Sequence, residues 1–341
     1  MLRNKIYYGL KPFVPRSIRL GIRRWFAIRK REKVKDIWPI MPASERVPDN
    51  WLGWPNGKQF ALVLTHDVEG KDGLGKCREL MRLEQEFGFR SSFNFIPEGN
   101  YKVPSELRDE LASNGFEVGI HDLKHDGRLF LSRREFSRKA TRINRYLREW
   151  NAAGFRSGFM LHKLDWLHEL DIQYDASTFD TDPFEPQPEG RHTIFPFSVP
   201  APAARKSGAN PPGANRKPSP TAGVLRAGYV ELPYTLPQDF TLFLLLRERT
   251  ANIWLRKVDW IARHGGMALV NVHPDYLCFG EATPKAMEYP STHYKALLEY
   301  VSQHYEGLFW NTTPRKVAQF FADATKFPRL AKPRSPHQLL R

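Results

Sequence analysis

The sequence predicts an α/β fold built on parallel strands. Three observations carry this. From Phe60 onward, short apolar runs alternate with segments of helical period. Several of those runs, such as FALVL (60–64) and GMALVNV (266–272), are nearly continuous in apolar residues, as strands buried on both faces are. The same runs end abruptly in ionisable residues, which is where α/β folds place ligand chemistry. With 341 residues, the chain is long enough for one large domain of barrel or doubly wound size.

The elements follow in order. FALVL is the first strand and runs into Thr65, His66, Asp67, Val68, Glu69 and Gly70. Residues 73–87 have helical period, with Leu74, Cys77, Leu80, Met81, Leu83 and Phe87 near one side and Gly88 placed to end the helix. SSFNFI (91–96) is a short strand, and PSELRDELASN (104–114) is a helix between a leading Pro and a closing Gly115. FEVGI (116–120) is a third strand that enters His121, Asp122, Leu123, Lys124, His125 and Asp126. Residues 132–150 form a long basic helix opened by a capping box, Ser132 with Glu135. Strands at 155–159 and 172–174 carry Arg156 and lead into Asp175, with a short helix at 164–170 between them. Residues 196–228 are rich in Pro, Gly, Ala and Ser and read as a variable or disordered loop. Order returns at VELPYTL (230–236), a helix at 252–264 and the strand 266–272, which ends in His273, Pro274, Asp275 and Tyr276. Helices at 294–304 and 314–322 flank a last strand at 308–310.

Bulk composition narrows the function. The content is 41% hydrophobic and 13% aromatic, enough for a substantial core. Net charge is +15, which points to an anionic partner. No RNA- or DNA-binding signature accompanies that charge, so nucleic acid is not expected. The only cysteines, Cys77 and Cys278, are far apart in sequence, which excludes a disulfide framework and favours a reducing compartment.

Residues 1–55 read as a basic amphipathic leader followed by a Pro- and Trp-rich lead-in. Within 1–35, Ile18, Leu20, Ile22, Trp25, Phe26 and Ile28 are interleaved with Arg19, Arg23, Arg24, Arg29 and Arg31. No apolar run is long enough for a signal-peptide core or a membrane span. An anionic membrane surface is the expected partner of this segment, with a helix packed on the domain as the alternative. The expected location is cytoplasmic, peripheral at the inner face of the membrane.

Parallel βα units bring strand ends to one face, so Asp67, Glu69, His121, His125, Arg156, Asp175 and His273 are expected to converge. A carboxylate with two imidazoles is a ligand set for a catalytic divalent metal. His121 and His125, four apart, would share one side of a helical turn.

The ordered set THDVEG (65–70), HDLKH (121–125), FRSGF (155–159), YDAS (174–177) and VNVHPDY (271–276) resembles the polysaccharide deacetylases of the NodB-homology type, carbohydrate esterase family 4. The resemblance covers about residues 58–325. It implies a distorted (β/α) barrel of about seven parallel strands over 56–327; by composition that domain holds a disordered insertion near 200–226 and is followed by a tail at 328–341. It also implies metal-dependent hydrolysis of N-acetyl, or O-acetyl, groups on an acetylated sugar or glycan; joined to the basic leader, this gives the expectation of a role in bacterial surface-glycan biosynthesis, on a lipid-linked or nucleotide-linked saccharide. Carried over residue by residue, His121 and His125 hold the metal together with an acid of the first motif. Asp67 is the general base, Arg156 keeps it charged and oriented, His273 protonates the leaving amine, and Asp175 orients His273. Zinc is the expected ion, with cobalt, nickel or manganese as alternatives.

The sequence departs from that pattern. The family's first motif has two adjacent aspartates; here the second position is Val68, and Glu69 is the expected replacement ligand. Ser157 and Gly158 stand where prolines are usual, and Asp180 or Asp182 are alternatives to Asp175. The departures keep two rival readings open: a metal-dependent amidohydrolase on a small amide, and a degenerate carbohydrate-binding relative.

Overall fold

The structure, a computed structural model, describes residues 16–49, 51–202 and 228–326. The first fifteen residues of the leader, most of the segment near 200–226 and the tail 328–341 lie outside the described residues. Helix α1 (Arg16–Lys33) precedes a curled parallel sheet. That sheet contains β1 (Phe60–Val68), β2 (Ser91–Phe95), β3 (Glu117–His121), β4 (Gly154–Arg156), β5 (Tyr174–Asp175), β7 (Gly228–Glu231) and β8 (Met267–Val272). Pairing runs β8–β1–β2–β3–β4–β5–β7, every neighbour parallel, and the short β11 (Phe309–Asn311) lies parallel beside the start of β1, so among the described residues the sheet of the distorted (β/α) barrel has eight parallel strands.

The helices between them are α2 (Lys71–Glu86), α3 (Ser105–Ser113), α4 (Arg133–Glu149), α5 (Leu164–Leu167) and α6 (Asn252–Arg263). The capping box is in place: Ser132 Oγ accepts the Glu135 N–H at the start of α4. Strands β9 (Leu277–Cys278) and β10 (Tyr289–Pro290) pair with each other, α7 (Thr292–His304) follows, and β11 (Phe309–Asn311) pairs with the start of β1 before α8 (Pro314–Lys326). Both cysteines are free and buried.

Several elements differ from expectation: β9 and β10 carry no strand signal, and the expected strand at 155–159 ends at Arg156 and gives way to a helical turn at Gly158–Met160. Residues 197–200 form β6 (Phe197–Pro200), antiparallel to β7, where the composition reads as loop. Its pairing is tertiary, so local composition carries no trace of it.

The pleat organises everything else. In β1, Phe60, Leu62, Leu64 and Val68 pack outward against the helices, while Ala61 and Val63 pack inward with Met267, Leu269, Val230 and Leu232. Alternation therefore sends Thr65, Asp67 and the following Glu69 inward. In β8, Ala268, Val270 and Val272 join the outer layer, so Asn271 and His273 point inward. In β2, Phe93 and Phe95 are outer and Asn94 is inner; in β3, Ile120 is outer and His121 is inner. The barrel lumen is mostly apolar at its floor, where the buried Glu117 accepts the Tyr174 hydroxyl, and ionisable at its rim.

Candidate metal centre

Glu69, His121 and His125 each offer one ligand atom, and those atoms lie within 4.8 Å of one another. His121 is the last residue of β3, and its Nδ1 lies 3.2 Å from the Arg156 carbonyl oxygen. A carbonyl only accepts, so Nδ1 carries the proton and Nε2 is left as the donor atom for a metal. That Nε2 is buried without a hydrogen-bond partner. Burial lowers the His121 pKa, with Asp67 opposing, which favours the neutral ring a metal needs.

The turn carrying His125 is not helical. Asp122 and His125 both take left-handed backbone conformations, and Leu123 N–H bonds to Asp122 Oδ1. This corrects the expected helical turn: the two rings meet at 4.8 Å because the loop folds back after β3. The ring of Phe159, itself left-handed at φ 59°, stacks on His125 at 4.3 Å. Gly158 lets the segment come this close, because a Cβ there would sit 2.7 Å from His125 Cδ2.

Glu69 reaches the site because it is two residues beyond Asp67 on the same side of the pleat. Its Oε1 is 3.1 Å from His125 Nε2, and its Oε2 accepts the Tyr276 hydroxyl at 2.8 Å. Its own N–H donates to Asp275 Oδ2, and Gly73 N–H donates to the other oxygen, so Asp275 ties β1 to α2. Gly73 has no space for a side chain, since a Cβ would meet Asp275 Oδ2 at 2.1 Å. Although burial raises the Glu69 pKa, the His125, His273 and His121 rings outweigh it and hold the carboxyl ionised.

Asp67 is buried with both oxygens engaged: Asn94 Nδ2 donates to Oδ1 at 2.9 Å and Asn271 Nδ2 to Oδ2 at 2.8 Å. Arg156 Nη1 lies 3.6 Å from Oδ2, close enough to act by charge but outside hydrogen-bond reach. Burial again opposes ionisation, but Arg156, His121 and His273 hold Asp67 well below the ordinary carboxylate range. Orientation of Asp67 thus belongs to two amides, and Arg156 supplies charge.

His273 follows β8. Its Nδ1 is 2.6 Å from Asp239 Oδ1, and its N–H donates to Asp239 Oδ2 at 2.7 Å. Tyr289 OH donates to the same Oδ2 at 3.1 Å. Nε2 faces the site, 4.0 Å from Glu69 Oε1. Burial disfavours the charged ring, yet Asp239, Glu69 and Asp67 together raise its pKa to about 10.

Asp175 is not the acid on His273. Its register partner in β4 is Phe155, an outer-layer residue, so the pleat turns Asp175 away from the lumen. It accepts from Ser177 Oγ at 2.7 Å and from Ser177 N–H, while Ser157 N–H donates to the same hydroxyl. Asp175 therefore steadies the turn after Arg156. The alternatives also lie elsewhere: Asp180 accepts from Lys257 and Asp182 from Tyr234. Asp239, which does the work, follows Pro237 and Gln238 in a stretch without a strand signal. Asn94, Asn271 and Tyr276 are further site residues that the sequence reading does not single out, although Asn271 is the lone polar group of an otherwise apolar strand.

One carboxylate and two imidazoles, one with an orphaned and buried Nε2, fit a divalent cation. Among the described residues no helix is long and apolar enough to cross a membrane.

No protein-family model matches the chain, and no curated protein matches it. Solved structures do. A Mycobacterium smegmatis protein assigned as a polysaccharide deacetylase is 17% identical, with a TM-score of 0.55 over 85% of this chain and 99% of its own. Puue allantoinase is 12% identical, with a TM-score of 0.55 over 83% of this chain and 96% of its own. A Pseudomonas aeruginosa PAO1 protein, also assigned as a polysaccharide deacetylase, is 13% identical, with a TM-score of 0.54 over 80% of this chain and 94% of its own. The chain shares the distorted barrel fold of these proteins.

Proposed function

We propose that the protein is a divergent polysaccharide deacetylase of the NodB-homology type, a metal-dependent hydrolase of N-acetyl or O-acetyl groups on a sugar. The observation that carries this is the convergence of Glu69, His121 and His125 beside Asp67, with His273 facing them. Held by those three residues, a divalent cation, zinc for preference, would polarise the acetyl carbonyl and acidify a water.

The remaining roles belong to the chain. Asp67, ionised and held by Asn94 and Asn271, takes the proton of the attacking water. His273, protonated at neutral pH and fixed by Asp239, gives its Nε2 proton to the leaving amine. Arg156 keeps Asp67 charged through the cycle. Tyr276 restrains Glu69 so that its other oxygen faces the two histidines. The fitting substrate class is an acetylated glycan, including a lipid-linked or nucleotide-linked saccharide of bacterial surface-glycan assembly. The proposed setting is the cytoplasmic face of a membrane, reached through the basic leader.

Acetate release from an N-acetylhexosamine oligosaccharide, abolished by chelator and by His121→Ala, is the test. Intact metal binding with no release from any acetylated sugar would count against it. The fold likeness to an allantoinase favours one rival, hydrolysis of a small amide. Saturation by small amides but not by glycans would select that rival.

A further inference from the structure

Helix α1 is mounted in reverse. An amphipathic surface helix normally turns its apolar stripe to the core and its charges to water. Here much of the anchoring to the body is done by cations. Arg24 Nε donates to the Leu244 carbonyl at 2.7 Å, Lys30 Nζ to the Pro183 carbonyl, and Arg31 pairs with Glu248. The Arg23 guanidinium lies over the Phe240 ring at 4.7 Å. The large apolar residues of the helix face outward: Ile18, Ile22, Trp25, Phe26 and Ile28 are 49–61% exposed, and only Leu20 and Ala27 are buried. At about 100° per residue, Ile18, Ile22, Trp25 and Arg29 fall within an arc of roughly 60°. Five of the ten large apolar side chains exposed among the described residues sit on this one helix, so the face is a patch and not ordinary scatter.

We propose that the outward face of α1 seats on an anionic lipid bilayer surface. The helix carries eight cations against one acid, Glu32. Trp25 and Phe26 meet edge to face at 4.8 Å, and the Arg29 guanidinium lies over Trp25 at 3.8 Å. That is the composition of an interfacial helix: amphipathic rings at headgroup depth, with arginine reaching from them to phosphate. The same charge opposes a second copy of the chain, since a two-fold contact would set two cationic helices face to face. An anionic bilayer accepts both the rings and the charge.

The mounting also places that surface beside the site. The π-type turn Phe240–Leu245 that supports α1 begins next to Asp239, the acid on His273. The Phe240 ring packs on Tyr276 at 5.5 Å, and Tyr276 donates to Glu69. A saccharide anchored by a lipid would therefore meet the site from the surface to which the chain is docked. This last step rests on the deacetylase reading; the docking does not.

Co-flotation of the full chain with vesicles tests the docking. Binding is expected with phosphatidylcholine vesicles containing phosphatidylglycerol, weak with phosphatidylcholine alone, and reduced by salt as screening shortens. The double variant Trp25→Ser, Phe26→Ser should lose at least about tenfold in partitioning and keep its thermal midpoint. Leu131→Ser, an equally exposed apolar residue elsewhere, should float as wild type. The proposal is overturned by absence of flotation, by equal binding to uncharged vesicles, or by a concentration-dependent dimer that the double variant abolishes while vesicle binding is unaffected. A chain that floats but releases no acetate refutes only the deacetylase reading. A chain that releases acetate without floating refutes only the docking.

Discussion

His273 and Asp239 are joined twice, through the ring Nδ1 at 2.6 Å and through the backbone N–H at 2.7 Å to the second carboxylate oxygen. One side chain thus fixes both the tautomer and the position of the imidazole. Asp239→Asn should keep an acceptor for the N–H but lose the charge that raises the His273 pKa to about 10. The kcat for acetate release should fall by roughly 10²-fold or more, with KM little changed. The alkaline limb of the pH–rate profile should also move to lower pH. A variant with wild-type kcat would remove His273 from the proton-transfer role.

Metal binding should depend on Glu69, one step past the position at which the resembled family carries its second aspartate. Isothermal titration with a divalent ion should give one site, and Glu69→Ala should weaken it by more than about 100-fold, beyond the loss typical of an outer partner. Glu69→Asp should recover little, because the shorter carboxylate starts from the same backbone position. Unchanged affinity in Glu69→Ala would move the ligand role to Asp67.

Restoring the family's adjacent aspartate should do harm. Val68 is fully buried and packs in the outer layer, away from the lumen. Val68→Asp would place an unpaired carboxylate among apolar side chains and should cost about 3 kcal/mol or more. Chemical denaturation measures it, and increased metal affinity in this variant would contradict the side assignment.

Asp175 and Glu231 face each other across β5 and β7, both fully buried. Thr178 donates twice to Glu231 Oε1, but Oε2 has no donor, and a proton held between the two acids supplies one. Burial, followed by the Asp175 charge, raises the Glu231 pKa well above its ordinary value. The folded state therefore holds a proton that the unfolded state releases. That stability is complete below the unfolded carboxylate range and is lost as pH rises toward the folded pKa, by up to ~1.4 kcal/mol per pH unit for one proton. Glu231→Gln keeps the acceptor for Thr178 and replaces the proton with an N–H. Its thermal midpoint should fall less than that of the wild type between neutral and alkaline pH. Parallel profiles would place the proton elsewhere.

The barrel was legible mainly from β1, β2, β3 and β8, which carry apolar residues of their own, and from the helix stops between them. The inward ligands were legible where they close a strand, as His121 and His273 do. Asp175 also closes a strand, but a two-residue strand gives no alternation from which to read its side, and only pairing with Phe155 shows it faces out. His66 lies inside the first motif yet takes an outer position, its Nε2 2.7 Å from Glu84 Oε1. Asp239 and β6 depend on tertiary partners that local sequence does not encode. Arg156 was read as orienting Asp67, whereas the hydrogen bonds come from Asn94 and Asn271.

The two-residue step from Asp67 to Glu69 has an evolutionary consequence. Within β1 of this chain, an acid reaches the lumen only at positions of the same parity as Thr65 and Asp67. A single-residue insertion or deletion after Leu64 would turn Asp67 and Glu69 to the helix side and Val68 into the lumen, removing two site acids at one stroke. The rim of this barrel is open to point substitution and closed to changes in strand length.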